Sequence, residues 1–105
     1  MRVIYVNQKM GGKKNNGFIG MNKMAAKSPQ IRMKYPYPKN TFLIYNKMPA
    51  AKKERTLRHE VIEKELMEKG GYSYPKAHKV SSILESNKLI NVKSSKRARG
   101  YLRKL

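Results

Sequence analysis

The spacing of apolar positions changes several times along the chain, and each change marks an element. Residues 2–7 are a β-branched and aromatic run, Val3-Ile4-Tyr5-Val6, that predicts a strand. Residues 11–17, Gly-Gly-Lys-Lys-Asn-Asn-Gly, predict a turn, because glycine and asparagine accept the backbone angles a reversal requires. Residues 17–21 are a further, short strand candidate. Residues 30–35 alternate Ile31, Met33 and Tyr35 with Arg32 and Lys34, the period of a half-buried strand. Pro36 and Pro38 close that run and hold Tyr35 and Tyr37 in extended conformations. Residues 41–46, with Phe42-Leu43-Ile44-Tyr45 in succession, read as the central strand of a sheet.

Beyond Pro49 the period lengthens. Residues 50–69 contain strong helix formers, and Pro49 suits a helix start. Leu57, Val61, Ile62 and Leu66 predict the buried stripe of that helix. Gly70-Gly71 ends it, as glycines past a helix terminus commonly do. A second helix is predicted over residues 74–86, opened by Pro75, with Ala77, Val80 and Leu84 on its apolar side. Residues 89–92 suggest a last short strand, and 94–105 a basic helix or tail bent at Gly100. The pattern as a whole predicts an α+β fold: a small antiparallel sheet within residues 1–46, followed by two or three helices. A single domain is expected over residues 1–93, with 94–105 as a basic C-terminal extension.

Charge changes this picture more than composition does. The chain has 105 residues, with 25 Lys and Arg against 6 acids, for a formal net charge of +19. Solubility alone is served by a net charge of roughly 2 to 8 on a small domain. The excess implies a polyanionic partner, and nucleic acid, DNA or RNA, is the expected one. Five of the six acids fall between Glu54 and Glu68; Glu85 stands alone. No apolar run reaches the roughly 20 residues of a membrane span, and the first residues turn polar too soon for a signal peptide. Absence of cysteine excludes disulfides and thiolate metal sites. An intracellular setting, cytoplasm or nucleoid, is the expectation.

Phosphate contacts are expected from Lys9, Lys13 and Lys14 in the first loop and from Lys96, Arg97, Arg99, Arg103 and Lys104 in the tail. Lys34 and Lys39 flank Tyr35 and Tyr37, a basic-aromatic segment suited to stacking on unpaired bases. The same tyrosines also suit a cover over a small core. No phosphate-binding glycine loop, RRM, KH or zinc-finger pattern occurs.

The chemistry-bearing pattern is Arg58-His59-Glu60-Val61-Ile62-Glu63, followed by Ala77-His78 on the next helix. His59 and Glu63 lie about 40° apart on one helical face. His78 joins them if the two helices fold back through Gly70-Gly71. His59, Glu63 and His78 would then form a His/Glu/His ligand set for zinc or a similar ion, with one position left for water. Glu60 would be the carboxylate that takes a proton from that water. A purely structural reading stands beside it. In that reading Glu60–Lys64 and Glu65–Lys69 are i,i+4 pairs and His59 is a boundary histidine.

At these residues the chain resembles the zincin metalloproteins: a strand runs into a helix carrying His-Glu-x-x, and a third ligand follows downstream. It is also similar, over residues 41–86, to small archaeal and phage proteins with a His-Glu-x-x-Glu helix and an Ala-His helix. Glu63 stands where the zincin motif has its second histidine. The resemblance implies a metal-dependent hydrolase, protease or nuclease, with Glu60 as its catalytic base.

Overall fold

The computed structural model describes residues 1–11 and 17–85. In chain order these form β1 (Arg2–Val6), β2 (Gly20–Met21), α1 (Lys23–Ala26), β3 (Thr41–Tyr45), α2 (Ala50–Glu68) and α3 (Tyr74–Leu84). The class is α+β, as the pattern implied. The expected strand over residues 89–92, the basic tail, and Lys13 and Lys14 lie outside the described residues.

The sheet is mixed rather than antiparallel. Its order is β1-β3-β2, with β3 central. β1 pairs with β3 in parallel, Arg2 opposite Thr41 through Val6 opposite Tyr45. β2 is antiparallel to β3, Gly20 opposite Ile44 and Met21 opposite Leu43. A parallel pair needs a long crossover, and residues 7–40, with β2 and α1 inside them, supply it. Met10 and Phe18 form a bridge, in which Met10 N–H donates to Phe18 O at 3.0 Å and Phe18 N–H to Met10 O at 2.7 Å. β2 therefore continues to β3 instead of folding back on β1. α1 also precedes β3, so the helices do not all follow the sheet.

Residues 30–35 are buried in the predicted alternation, with Tyr35 inside and Arg32 and Lys34 outside, yet they form no strand. Arg32 takes a left-handed backbone (φ 51°), which interrupts extension. Backbone bonds tie the segment to α1's end instead, Arg32 N–H to Ser28 O and Met33 N–H to Ala26 O. Alternation reports which side faces the core; a strand also requires pairing with a neighbouring strand, and here the backbone groups bond to the end of α1 instead.

Two apolar clusters hold the fold. Met10, Met21, Ala25, Ala26, Tyr35 and Leu43 pack on one face of the sheet. Ile62 and Leu66 of α2 pack against Ala77, Val80 and Leu84 of α3. The hairpin between these helices turns at Gly71, whose φ of +70° favours glycine. Tyr72 N–H returns to Leu66 O at 3.1 Å and closes the helix end. No helix among the described residues is long and apolar enough to cross a membrane.

Candidate metal centre

The buried face of α2 is polar. Leu57 and Val61 are only half-buried, while Thr56, His59, Glu60, Glu63 and Lys64 join Ile62 and Leu66 inside. The apolar stripe expected from Leu57 and Val61 thus gives way to one that runs Thr56, His59/Glu60, Glu63, Leu66. These are positions i, i+3, i+4, i+7 and i+10, one side of a helix. This side faces the sheet edge: a side chain at Gly20 would approach Thr56 Cγ2 at 2.7 Å and Glu60 Cγ at 2.9 Å. Glycine there lets β2 and α2 come together.

The α2–α3 hairpin brings His78 to His59. His59 Nε2 lies 2.9 Å from Glu63 Oε2 and 3.2 Å from His78 Nδ1, and His78 Nδ1 lies 3.0 Å from Glu63 Oε2. Three donor atoms therefore form a nearly equilateral triangle. A tetrahedral ion with nitrogen and oxygen ligands sets neighbouring ligands roughly 3.3 Å apart. The triangle is a few tenths of an ångström tighter, a difference that small side-chain adjustments absorb. His59, Glu63 and His78 can hold a metal ion.

Hydrogen bonds also link the three atoms, with roles set by the tautomers of the two histidines. Both imidazoles can donate to the shared Glu63 oxygen, but the 3.2 Å nitrogen–nitrogen contact then sets one N–H against another. One cation at the centre would meet all three lone pairs at once. A small cavity of about 20 Å³ between Glu60, Glu63, Tyr74 and His78 gives space beside the triangle, enough for one water-sized particle.

Two further residues, absent from the sequence-based site, orient it. Glu85 Oε2 lies 2.9 Å from His59 Nδ1. A carboxylate on the far nitrogen holds the proton at Nδ1, so that Nε2, once deprotonated, turns its lone pair toward the triangle. Asn22 Nδ2 donates to Glu60 Oε1 at 2.9 Å and to Glu63 Oε1 at 3.1 Å. Its Oδ1 caps α1 through Ala25 N–H at 2.9 Å. Asn22 thus ties the start of α1 to both carboxylates. Glu60 Oε2 remains 4.0 Å from His59 Nε2. Glu85 carried a signal in the sequence, seven residues after His78 and so on the same face of α3. Asn22 carried none beyond its fitness as a helix cap.

Burial and mutual charge set the protonation of these groups. Burial pushes the Glu60 carboxyl up and Glu63 adds to it, against His59 and the Asn22 bond; the result is about 8. For His59, burial lowers the value, but the Glu63 bond and the charges of Glu60, Glu63 and Glu85 outweigh it and raise it to about 9. Burial would also raise Glu63, yet the bonds from His59 and His78 bring it below the usual carboxylate range. Tyr74 is raised to about 12 by burial and by the Glu63 and Glu60 charges. Its ring lies 5.4 Å from that of His78.

His59, Glu60 and His78 line a cleft of about 530 Å³ bounded by Phe18 and Ile19 on the sheet side and by Lys52 and Arg55 on α2. Of the carboxylate pairs expected on α2, Glu65–Lys69 forms at 3.3 Å. Glu60–Lys64 does not; Lys64 turns to Glu68 at 2.8 Å because Glu60 points inward.

The expected nucleic-acid residues are divided. Lys9, Lys34 and Lys39 are exposed. Tyr35 is 7 % exposed and its hydroxyl donates to Thr41 O at 2.5 Å, so it belongs to the core and presents no stacking surface. Tyr37 packs on its edge, ring centroids 5.2 Å apart. Lys96, Arg97, Arg99, Arg103 and Lys104 lie outside the described residues. Comparison with protein-family models, with curated proteins and with solved structures finds no match to this chain.

Proposed function

We propose that the chain is a metal-dependent hydrolase, with a zinc-type divalent ion held by His59, Glu63 and His78 and with Glu60 as general base. The observation that carries this reading is the donor triangle of 2.9, 3.0 and 3.2 Å. Its position at a cleft with a buried carboxylate 4.0 Å away supports it further. Two imidazoles and one carboxylate suit a catalytic ion of the zinc type, which leaves a coordination position open. Such an ion polarises the substrate's scissile group and makes water a stronger acid.

The remaining chemistry belongs to the protein. Glu60, ionised in the field of a dication, accepts a proton from the attacking water and returns it to the leaving group. Asn22 holds the other oxygen of Glu60, so the free one faces the reaction. Glu85 keeps His59 in the tautomer a ligand needs. The likeness to zincins lies in this division of roles along one helix, with glutamate in place of the second histidine.

Elemental analysis of the purified, tag-free protein beside His59→Ala tests the reading. One zinc-like ion per chain, lost in the variant, is expected. No metal in either sample, and none taken up on titration, would return the cluster to a structural role.

A further inference from the structure

Several cations of α2 and its C-terminal cap are already engaged. Arg58 meets Glu54 at 3.4 Å, Lys64 meets Glu68 at 2.8 Å, Lys69 meets Glu65 at 3.3 Å, and Lys53 sits over the Tyr5 ring at 5.4 Å. Lys52 and Arg55 differ: both are exposed, both line the cleft, and neither has an acidic partner among the described residues. With His59 they occupy positions i, i+3 and i+7 of one helical face. At 1.5 Å per residue, Arg55 stands about 6 Å and Lys52 about 10 Å along the axis from the first ligand. The cleft therefore leads from these two cations to the donor triangle, with half-buried Phe18 on the opposite wall.

This arrangement asks for a substrate whose negative charge recurs beside the bond to be cut. A nucleic-acid strand meets that condition at every position, because each repeat carries a phosphate. A peptide meets it only where acidic residues happen to fall. The aromatic wall adds a surface on which an unpaired base stacks, and the chain's net charge of +19 draws polyanions to the entrance.

We propose that the cleft binds a single-stranded nucleic acid, with Arg55 and Lys52 on successive backbone phosphates, Phe18 against a base, and the next phosphodiester at the donor triangle. The inference rests on the hydrolase reading above. In the reaction one water is consumed. Its oxygen bonds to phosphorus while Glu60 takes its proton; the bond from phosphorus to the sugar oxygen breaks, and that oxygen receives the proton from Glu60. The products are a phosphate monoester and an alcohol, and nothing is oxidised or reduced.

The test uses the full chain carrying Glu60→Gln, and a labelled, mixed-sequence 20-nucleotide single strand. Binding is followed by anisotropy across a series of salt concentrations. Removing two phosphate contacts from a single strand lowers the slope of log K against log salt by about 1.4. Lys52→Gln/Arg55→Gln is expected to show that change. A charge-matched pair outside the cleft lining, Lys27→Gln/Lys47→Gln, is expected to show much less. Equal changes in the two pairs would mean diffuse attraction and would overturn the cleft as the site. Cleavage is read separately with the zinc-loaded chain, on the strand and on a labelled polyglutamate peptide. Cutting of the peptide but not the strand overturns the proposal and leaves the hydrolase intact. A slope change in a chain that takes up no metal overturns the hydrolysis, and with it the reading on which it rests.

Discussion

Zinc binding to this site should expel protons, and the number follows from the site's own electrostatics. Without metal, His59 titrates at about 9 and Glu60 at about 8. At pH 7 the two groups together therefore carry about two protons. Coordination at Nε2 requires His59 to give up its proton, and the dication's field removes the one on Glu60. Release of about two protons is expected at pH 7, about one at pH 8.5 and almost none at pH 10. The apparent affinity should tighten about two-hundredfold between pH 7 and 8.5. Titration calorimetry in two buffers of different ionisation enthalpy counts the protons directly. The sign for folding runs the other way. A raised His59 stabilises the metal-free fold fully below its unfolded value near 6.5, and that contribution is lost as pH rises through about 9. Glu60, raised from 4.5 to about 8, also loses stability for the fold as pH rises across that window. The metal-free Tm should thus fall from pH 5 to 9, while the zinc-loaded chain holds its Tm. Proton release below about 0.3 at pH 7, or affinity that does not change with pH, would refute this account of the site.

Other residues give separable outcomes. Glu85→Ala should weaken zinc binding about 10- to 100-fold, with helix content by circular dichroism unchanged, because only the orientation of His59 is lost. Glu60→Gln should keep the ion, as measured by elemental analysis, and reduce turnover by about 10²- to 10⁴-fold. Gly20→Ala brings a methyl to 2.7 Å from Thr56 Cγ2 and 2.9 Å from Glu60 Cγ; thermal unfolding should show a loss of about 1–3 kcal/mol. Leu66→Ala, at a fully buried position between α2 and α3, should cost about 2–5 kcal/mol in denaturant titration.

Much of the molecule was legible in its residue pattern because those features are local. The α2 and α3 helices, their glycine turn and the β3 strand all follow from periodicity, helix propensity and backbone freedom within a few residues. His59, Glu60, Glu63 and His78 were recognisable as a group because three lie within one helical turn and a short hairpin returns the fourth.

What the pattern missed depends on contacts between distant segments. The parallel pairing of β1 with β3 is decided by which edge remains free after the crossover, and no local period records that. The alternation at residues 30–35 marked Tyr35 as inward, but the left-handed backbone at Arg32 and the bonds to the end of α1 keep the segment from extending along the sheet. The apolar stripe Leu57-Val61-Ile62-Leu66 predicted the buried face of α2 only in part. That helix packs between the sheet and two other helices, so a second, polar face is buried as well. Burying His59, Glu60 and Glu63 is tolerable only when hydrogen bonds compensate for lost water. Those bonds come from Asn22, 38 residues upstream of Glu60, and from Glu85 at the end of α3. The residue types and their helical spacing came from the chain itself; their meeting as one buried cluster was decided by tertiary packing, because desolvated charges need partners that only the folded arrangement supplies.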